Sequence, residues 1–324
     1  MSLRLIWKNI YGRKPVNDHQ PVHHFGRWQA RSPALSVTTH YATRRKSRSV
    51  TGGTRGIGAA AAIALARAGA DIALVGRTDD DEARQIRGAI QALGGRCELI
   101  LADCGKPADC TRCVEETVQR LGGVDVLIHS AGGAVNGGLL ELTPEAWHSA
   151  FDVHVHAIFY LCRAAIPLMR PKQEGAIILI SSTAGKLATP SHIAYQAVKG
   201  AIPHLTRGLA REFAPDNIRI NCVAPGVIRT RFHEKMSAEQ KKLNLEHRIP
   251  LKCEGTPEQV AEAILALVKN DYITGDTVIA WGKDNSKLRK RFQAEAIGMT
   301  ADAKSTDRSK VVLARIKLRD YWES

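Results

Sequence analysis

Thr51-Gly52-Gly53-Thr54-Arg55-Gly56-Ile57-Gly58 is the stretch that decides the fold. Glycines spaced as Gly52, Gly56 and Gly58 permit a tight turn, a close approach of backbone to a pyrophosphate, and close packing of a helix on a sheet. An Ala-rich run with helical spacing follows at once (57–68), and then a short apolar strand (71–76). A glycine turn that opens a helix brings free N–H groups and the positive end of the helix dipole together, which makes an anion site. A glycine cluster in another setting is an ordinary loop; the helix and strand behind this one set it apart.

Working outward, short apolar runs alternate with helical stretches. Strands are expected at 71–76, 97–102, 124–129, 175–181, 218–223 and 277–280, and helices at 57–68, 81–93, 108–121, 144–169, 193–213 and 257–268. Thr143-Pro144 and Thr256-Pro257 each set a capping hydroxyl before a proline at the first helical position. Such alternation implies α/β architecture: a Rossmann-type, doubly wound parallel sheet with helices on both faces, in one domain over residues 50–284. Pro203 removes one helical hydrogen bond, which tends to kink a helix; a tolerated irregularity is the better reading here.

Charge divides the chain into body and tails. The formal net charge is +14, yet residues 50–284 hold 26 bases and 26 acids. The excess lies in a basic extension (1–49) and a basic tail (285–324). Nucleic-acid binding is therefore assigned to the tails if anywhere, and they carry no reader motif. The extension is rich in Arg, Ser and His and reads as disordered or as a mitochondrial transit peptide; otherwise the expected location is the cytoplasm. Seven scattered cysteines suit free thiols in a reducing compartment. The lone pair Cys110 and Cys113 lacks a second ligand pair, so no metal site is expected. No apolar stretch reaches 18 residues, so no membrane span is expected.

Tyr195 and Lys199 stand one helical turn apart, and Ser182 follows the apolar run 176–180. An ammonium beside a phenol favours the phenolate. A tyrosine that exchanges protons near neutral pH needs its pKa lowered by roughly 2–3 units, or about 3–4 kcal/mol. Ser182 would hold the same substrate oxygen. At the end of the second strand stands Arg77, where an acid would grip a ribose hydroxyl and an arginine favours a 2′-phosphate. With Arg55 in the glycine turn, it favours NADP(H) over NAD(H).

Together these residues resemble the short-chain dehydrogenase/reductase family, in the manner of its 3-oxoacyl-carrier-protein reductases. The resemblance covers about residues 50–284. It rests on Thr51–Gly58, Asp103, Ala131-Gly132, Ser182, Tyr195-x-x-x-Lys199, and Pro225-Gly226 followed by Thr230. It implies a seven-stranded sheet, a homodimer or homotetramer, and hydride transfer between NADP(H) and a small-molecule carbonyl or secondary alcohol. Ser182, Tyr195 and Lys199 would be catalytic. Gly52, Thr54, Arg55, Gly56, Ile57, Gly58, Arg77, Asp103, Ala131, Gly132, Tyr195, Lys199, Pro225, Gly226 and Thr230 would contact the cofactor. Asp103 would touch the adenine, Lys199 the nicotinamide ribose, and Thr230 the carboxamide.

Several positions depart from the family pattern. His129-Ser130-Ala131-Gly132 stands where Asn-Asn-Ala-Gly is usual. His154 aligns with the fourth catalytic residue, an asparagine, and is carried as its stand-in; a histidine packed locally is the plainer reading. Ala280-Trp281-Gly282 replaces the usual Asp-Gly-Gly. The first strand is polar (Arg44-Arg45-Lys46-Ser47-Arg48-Ser49-Val50), whereas a buried parallel strand is ordinarily apolar. These departures leave a second reading open: a dinucleotide-binding protein without catalysis. The segment 231–254, with Phe232, Met236, Leu243 and Leu245 among charges, reads either as a substrate lid or as an ordinary mobile loop.

Overall fold

The computed structural model describes residues 46–281, except 188–190 and 235. The expectations for residues 1–45 and 282–324 lie outside the described residues. Seven parallel strands form one sheet in the order β3-β2-β1-β4-β5-β6-β7. They are β1 (Ser47–Thr51), β2 (Asp71–Gly76), β3 (Cys97–Leu101), β4 (Val126–His129), β5 (Gly175–Ile180), β6 (Ile218–Pro225) and β7 (Thr277–Ala280). Between them run α1 (Gly56–Arg67), α2 (Asp81–Ala92), α3 (Pro107–Leu121), α4 (Pro144–Phe151), α5 (Ala157–Met169), α6 (Ile193–Phe213), α7 (Ala238–Leu243) and α8 (Pro257–Lys269).

Both faces of the sheet are covered. Neighbouring residues of one strand enter opposite cores. Leu127 and Ile177 pack with Val114 and Leu161, while Ile128 and Ile178 pack with Leu65 and Ile264. This alternation explains why β5 is apolar throughout and buried along its whole length. Among the described residues, no helix is long and apolar enough to cross a membrane. The order reverses direction at β1 and β4, which are paired neighbours, and ligands bind beyond the carboxyl ends of strands at such a switch point. Thr51, the last residue of β1, stands level with His129, the last of β4.

Two expectations needed correction, the extent of the first strand and the continuity of the helix over 144–169. The polar first strand is a full member of the sheet, beginning at Ser47 and buried throughout, so the extension's last residues belong to the fold. Its serine and threonine residues find partners. Ser47 Oγ donates to Leu121 O at 3.0 Å, the Ser47 amide donates to Asp125 Oδ2 at 2.9 Å, and Thr51 Oγ1 lies 2.8 Å from His129 Nδ1. Arg48 is taken inside with them, 5% exposed.

The helix expected over 144–169 is interrupted by a π turn, Asp152–His156, which joins α4 to α5. The helix α6 runs unbroken past Pro203. Proline offers no N–H to the carbonyl four residues back, which is Lys199 O. Ser181 Oγ donates to that oxygen instead, at 2.6 Å. The segment 231–254 holds its own structure, α7 and a second π turn at Asn244–Arg248.

Candidate active site

The glycine turn leaves β1 and enters α1, whose N-terminus has neither a side-chain cap nor an acid in its first turn. The first turn of a helix has N–H groups without intrahelical partners, so this end suits an anion. A Cβ on Gly58 would sit 2.1 Å from Gly52 O, so only glycine lets the helix start this close to the turn. Thr54 is 4% exposed, with its methyl within 2.6 Å of where Gly76 would carry a Cβ, so its side chain packs beneath the turn. Gly52, Gly56, Ile57 and Gly58 form this turn and helix start, which could hold an anion such as a phosphate.

The strand ends bring the other expected residues around this turn. Ala131 packs against Gly52, whose Cβ would lie 2.8 Å from the Ala131 amide. Thr230 closes on Gly56 from the segment after β6, at 3.5 Å from the position of its Cβ. Trp281 lies against Gly226, beside Pro225 at the end of β6. Asp103 accepts the Gly105 amide at 3.0 Å and donates its own amide to Asp109, which shapes the turn after β3. Arg77 is exposed at the end of β2. Arg55 is engaged instead, paired with Asp80 and 3.8 Å from Glu82.

Ser182, Tyr195 and Lys199 come together. Ser182 follows β5 in extended backbone and caps a short 3-10 turn through the Ala184 amide at 3.2 Å. Its hydroxyl donates to Pro225 O at 3.5 Å and lies close enough to the Tyr195 phenol to favour that group's charged form. Lys199 is buried, its Nζ donating to Ile180 O at 2.8 Å and lying 5.7 Å from the centre of the Tyr195 ring. Thus Ile180 O and Ser181 Oγ hold the lysine's two ends, which moors α6 to the end of β5. Phe232 packs on the other side of Tyr195, ring centres 5.7 Å apart.

The electrostatics differ from expectation. The ammonium does not make the phenol acidic here. Burial pushes Tyr195 up to about 12, and the Ser182 hydroxyl opposes that only in part. Burial likewise draws Lys199 down to about 8. Each group loses solvation of its charged form, and the lysine's proton is directed at a carbonyl rather than at the phenol.

His154 sits in the π turn, 2% exposed, its ring edge-on to Tyr195 at 5.9 Å. Nε2 donates to Gly133 O at 3.1 Å, and Nδ1 is buried with no hydrogen-bond partner among the described residues. Burial first, and the charge of Lys199 second, hold its pKa at about 2, so the ring is neutral. The arrangement supports a packed, neutral histidine beside the tyrosine and gives no sign of one that titrates near neutral pH.

His129 was noted in the sequence only as a departure, and the structure shows its task. Nδ1 accepts the Thr51 hydroxyl, and Nε2 donates to Val153 O at 3.0 Å. Val153 lies in the π turn Asp152–His156, so the histidine is tied to that turn. His129 therefore braces the turn that carries His154. The signal in the sequence was a polar residue closing an apolar strand; its place level with Thr51 comes from the sheet register.

Burial, then the Lys199 charge, holds His129 at about 4. The unfolded histidine takes a proton below about pH 6.5 and the folded one does not, so stability is lost as pH falls through this window. Going from about pH 7.5 to about pH 4.5 is expected to remove about 2–3 kcal/mol through His129 alone. Urea unfolding of wild type and His129→Asn at both pH values checks this; equal acid losses in the two proteins would contradict it.

The seven cysteines are all free, with Cys110 and Cys113 buried in α3. Among the described residues no cluster could hold a metal ion.

Comparison with known proteins agrees with this geometry. A family model described as Enoyl-(Acyl carrier protein) reductase matches residues 52–282. General stress protein 39 of Bacillus subtilis is 35% identical over 235 residues, 71% of this chain and 80% of the relative. Dehydrogenase/reductase SDR family member 4 of Homo sapiens is 33% identical over 245 residues, 74% of this chain and 87% of the relative. A short-chain type dehydrogenase/reductase from Mycobacterium marinum superposes with a TM-score of 0.69 at 31% identity, over 73% of this chain and 94% of its own. A short chain dehydrogenase from Burkholderia cenocepacia, solved in complex with NADP, gives 0.69 at 30% identity, over 74% and 98%. With a seven-stranded switch-point sheet, a glycine cradle and the Ser182–Tyr195–Lys199 cluster, this chain belongs to the short-chain dehydrogenase/reductase family.

Proposed function

We propose that this chain is an NADP(H)-dependent oxidoreductase that interconverts a carbonyl and a secondary alcohol, with Tyr195 as the acid/base. The observation that carries the reading is the convergence of Ser182 and Tyr195, with Lys199 one turn on and 5.7 Å from the tyrosine ring, at the strand ends beside the glycine cradle. Bound there, the nicotinamide supplies or accepts the hydride. Ser182 orients and polarises the substrate oxygen. Tyr195, with a pKa of about 12, is fully protonated near neutral pH and donates to the alkoxide as it develops. Such a donor suits the reductive direction. Oxidation requires the ammonium of Lys199 to turn from Ile180 O toward the phenol.

The cofactor assignments keep the roles that the family resemblance implies: Lys199 on the nicotinamide ribose, Thr230 on the carboxamide, Asp103 on the adenine, and Ala131 and Gly132 along the trough with Pro225 and Gly226. His154 positions Tyr195 by ring contact. Arg77, exposed at the end of β2, receives the 2′-phosphate. The NADP-bound relative from Burkholderia cenocepacia supports that choice. A cytoplasmic homodimer or homotetramer completes the proposal, in keeping with seven free thiols.

Thermal-shift measurement with NADP and NAD side by side tests the cofactor. At about 100 times its Kd a ligand adds about 2.7 kcal/mol, which raises Tm by roughly 5–10 °C for a domain of this size. NADP is expected to give that shift and NAD, at equal concentration, a clearly smaller one. A larger shift with NAD would overturn the Arg77 assignment.

One observation favours the second reading, a dinucleotide-binding protein without turnover: Lys199 is aimed at Ile180 O and the phenol is not acidified. Tight NADPH binding with no turnover across a broad carbonyl panel would establish it.

A further inference from the structure

Two arginines from different parts of the chain converge on one carboxylate at the mouth of the glycine cradle. Arg55 belongs to the turn itself. Arg231 follows Thr230 in the segment after β6, where it starts the 3-10 turn Arg231–His233. Arg231 Nη1 lies 3.1 Å, and Arg55 Nη1 3.8 Å, from the same atom, Glu82 Oε2, in the first turn of α2. That oxygen is covered from solvent and makes no hydrogen bond among the described residues. Both ion pairs are thus contacts of charge without hydrogen-bond alignment, which a better-shaped anion can replace. Arg55 has a second, aligned partner in Asp80, whereas Glu82 is the sole acid paired with Arg231 among the described residues.

Position makes the replacement specific. Thr230 packs on Gly56, the first residue of α1, so the backbone that carries Arg231 already touches the uncapped helix end suited to an anion. The Arg231 side chain is 62% exposed and that of Arg55 39%, so both forks are open to an arriving ligand. A planar guanidinium binds two phosphate oxygens at once, a geometry the present contact with Glu82 lacks.

We propose that Arg231 is a phosphate-binding residue of the dinucleotide site. It exchanges Glu82 for a phosphate of the bound cofactor, with Arg55 beside it, and so fastens the start of the 231–254 segment over the cofactor. This inference rests on the dinucleotide-binding part of the proposed function. Glu82 is the resident anion that holds the two cations in place until phosphate arrives. The phosphate is either the 2′-phosphate or the pyrophosphate, and the choice of ligand separates them.

The test measures Kd for NADPH and for NADH by quenching of protein fluorescence, in wild type and in Arg231→Gln, Arg231→Lys and Glu82→Gln. Arg231→Gln is expected to weaken NADPH binding about 5- to 20-fold, with Arg231→Lys in between. A loss confined to NADPH assigns the 2′-phosphate; an equal loss for NADH assigns the pyrophosphate. Glu82→Gln is expected to bind several-fold more tightly, because the competing carboxylate is gone.

Trypsin supplies a reading independent of affinity. Cleavage after Lys241 and Lys242, exposed in α7, is expected to slow in saturating NADPH for wild type and to stay fast in saturated Arg231→Gln. Unchanged Kd values in Arg231→Gln, or weaker binding by Glu82→Gln, would overturn the inference while leaving the proposed function standing. Failure of wild type to bind either dinucleotide would remove that function, and this inference with it.

Discussion

Replacing Tyr195 by Phe is expected to lower kcat by about a thousandfold, equivalent to about 4 kcal/mol of transition-state stabilisation, while leaving the dinucleotide Kd within about threefold of wild type. The ring keeps its contacts with His154 and Phe232, so packing and the shape of the site survive. What is lost is a proton held by a group with a pKa of about 12, beside Ser182. Removing that proton leaves the alkoxide to be quenched by solvent, which a buried site supplies poorly. The measurement is NADPH consumption against a panel of aldehydes, ketones and 3-oxoacyl thioesters, with fluorescence titration of NADPH alongside. Equal turnover by the variant would remove Tyr195 from the chemistry. Loss of NADPH binding together with turnover would show that the hydroxyl serves the cofactor rather than the substrate.

Gly132→Ala is expected to destabilise the fold by about 3 kcal/mol or more, the largest stability effect among these variants. Gly132 has φ +147°, and a Cβ there would fall 2.0 Å from His154 Cε1 and 2.5 Å from its Nδ1. The ring cannot retreat easily, because Nε2 is bonded to Gly133 O and the other side faces Tyr195. Two causes contribute, the collision and the backbone conformation, and a double-mutant cycle separates them. In a His154→Ala background the collision is gone, so Gly132→Ala should cost about half as much or less, the remainder being backbone strain. Urea unfolding of the four proteins gives the answer. A change below about 0.5 kcal/mol in the wild-type background would show that the loop after β4 yields freely.

The glycine turn and Tyr195-x-x-x-Lys199 were legible because each is local. A helix turn sets residues four apart on one face, and three glycines in eight residues already describe a strand-to-helix corner. The helix 193–213 and the strand 277–280 came out with the bounds expected, each with an unbroken pattern of its own. The helix expected over 144–169 came out interrupted at Asp152–His156, since no local rule places a π turn. His129, 24 residues before Val153, donates to a carbonyl of that turn.

The first strand was the hardest element to read. Ser47 and Thr51 look exposed until Leu121, Asp125 and His129, more than seventy residues away, are brought to them. Pro203 is a similar case: its missing hydrogen bond is made good by Ser181, a residue outside the helix.

From sequence alone came the fold class, the glycine turn at a helix start and the tyrosine, lysine and serine that meet at the strand ends, because periodicity and close spacing are properties of neighbours along the chain. Only the tertiary structure decided the charge states and partners: a phenol raised rather than lowered, a lysine turned toward Ile180 O, two histidines kept neutral, and Glu82 set between Arg55 and Arg231. Loss of solvation and the choice of ionic partner depend on which distant segments exclude water from a group, and that is settled when the layers close.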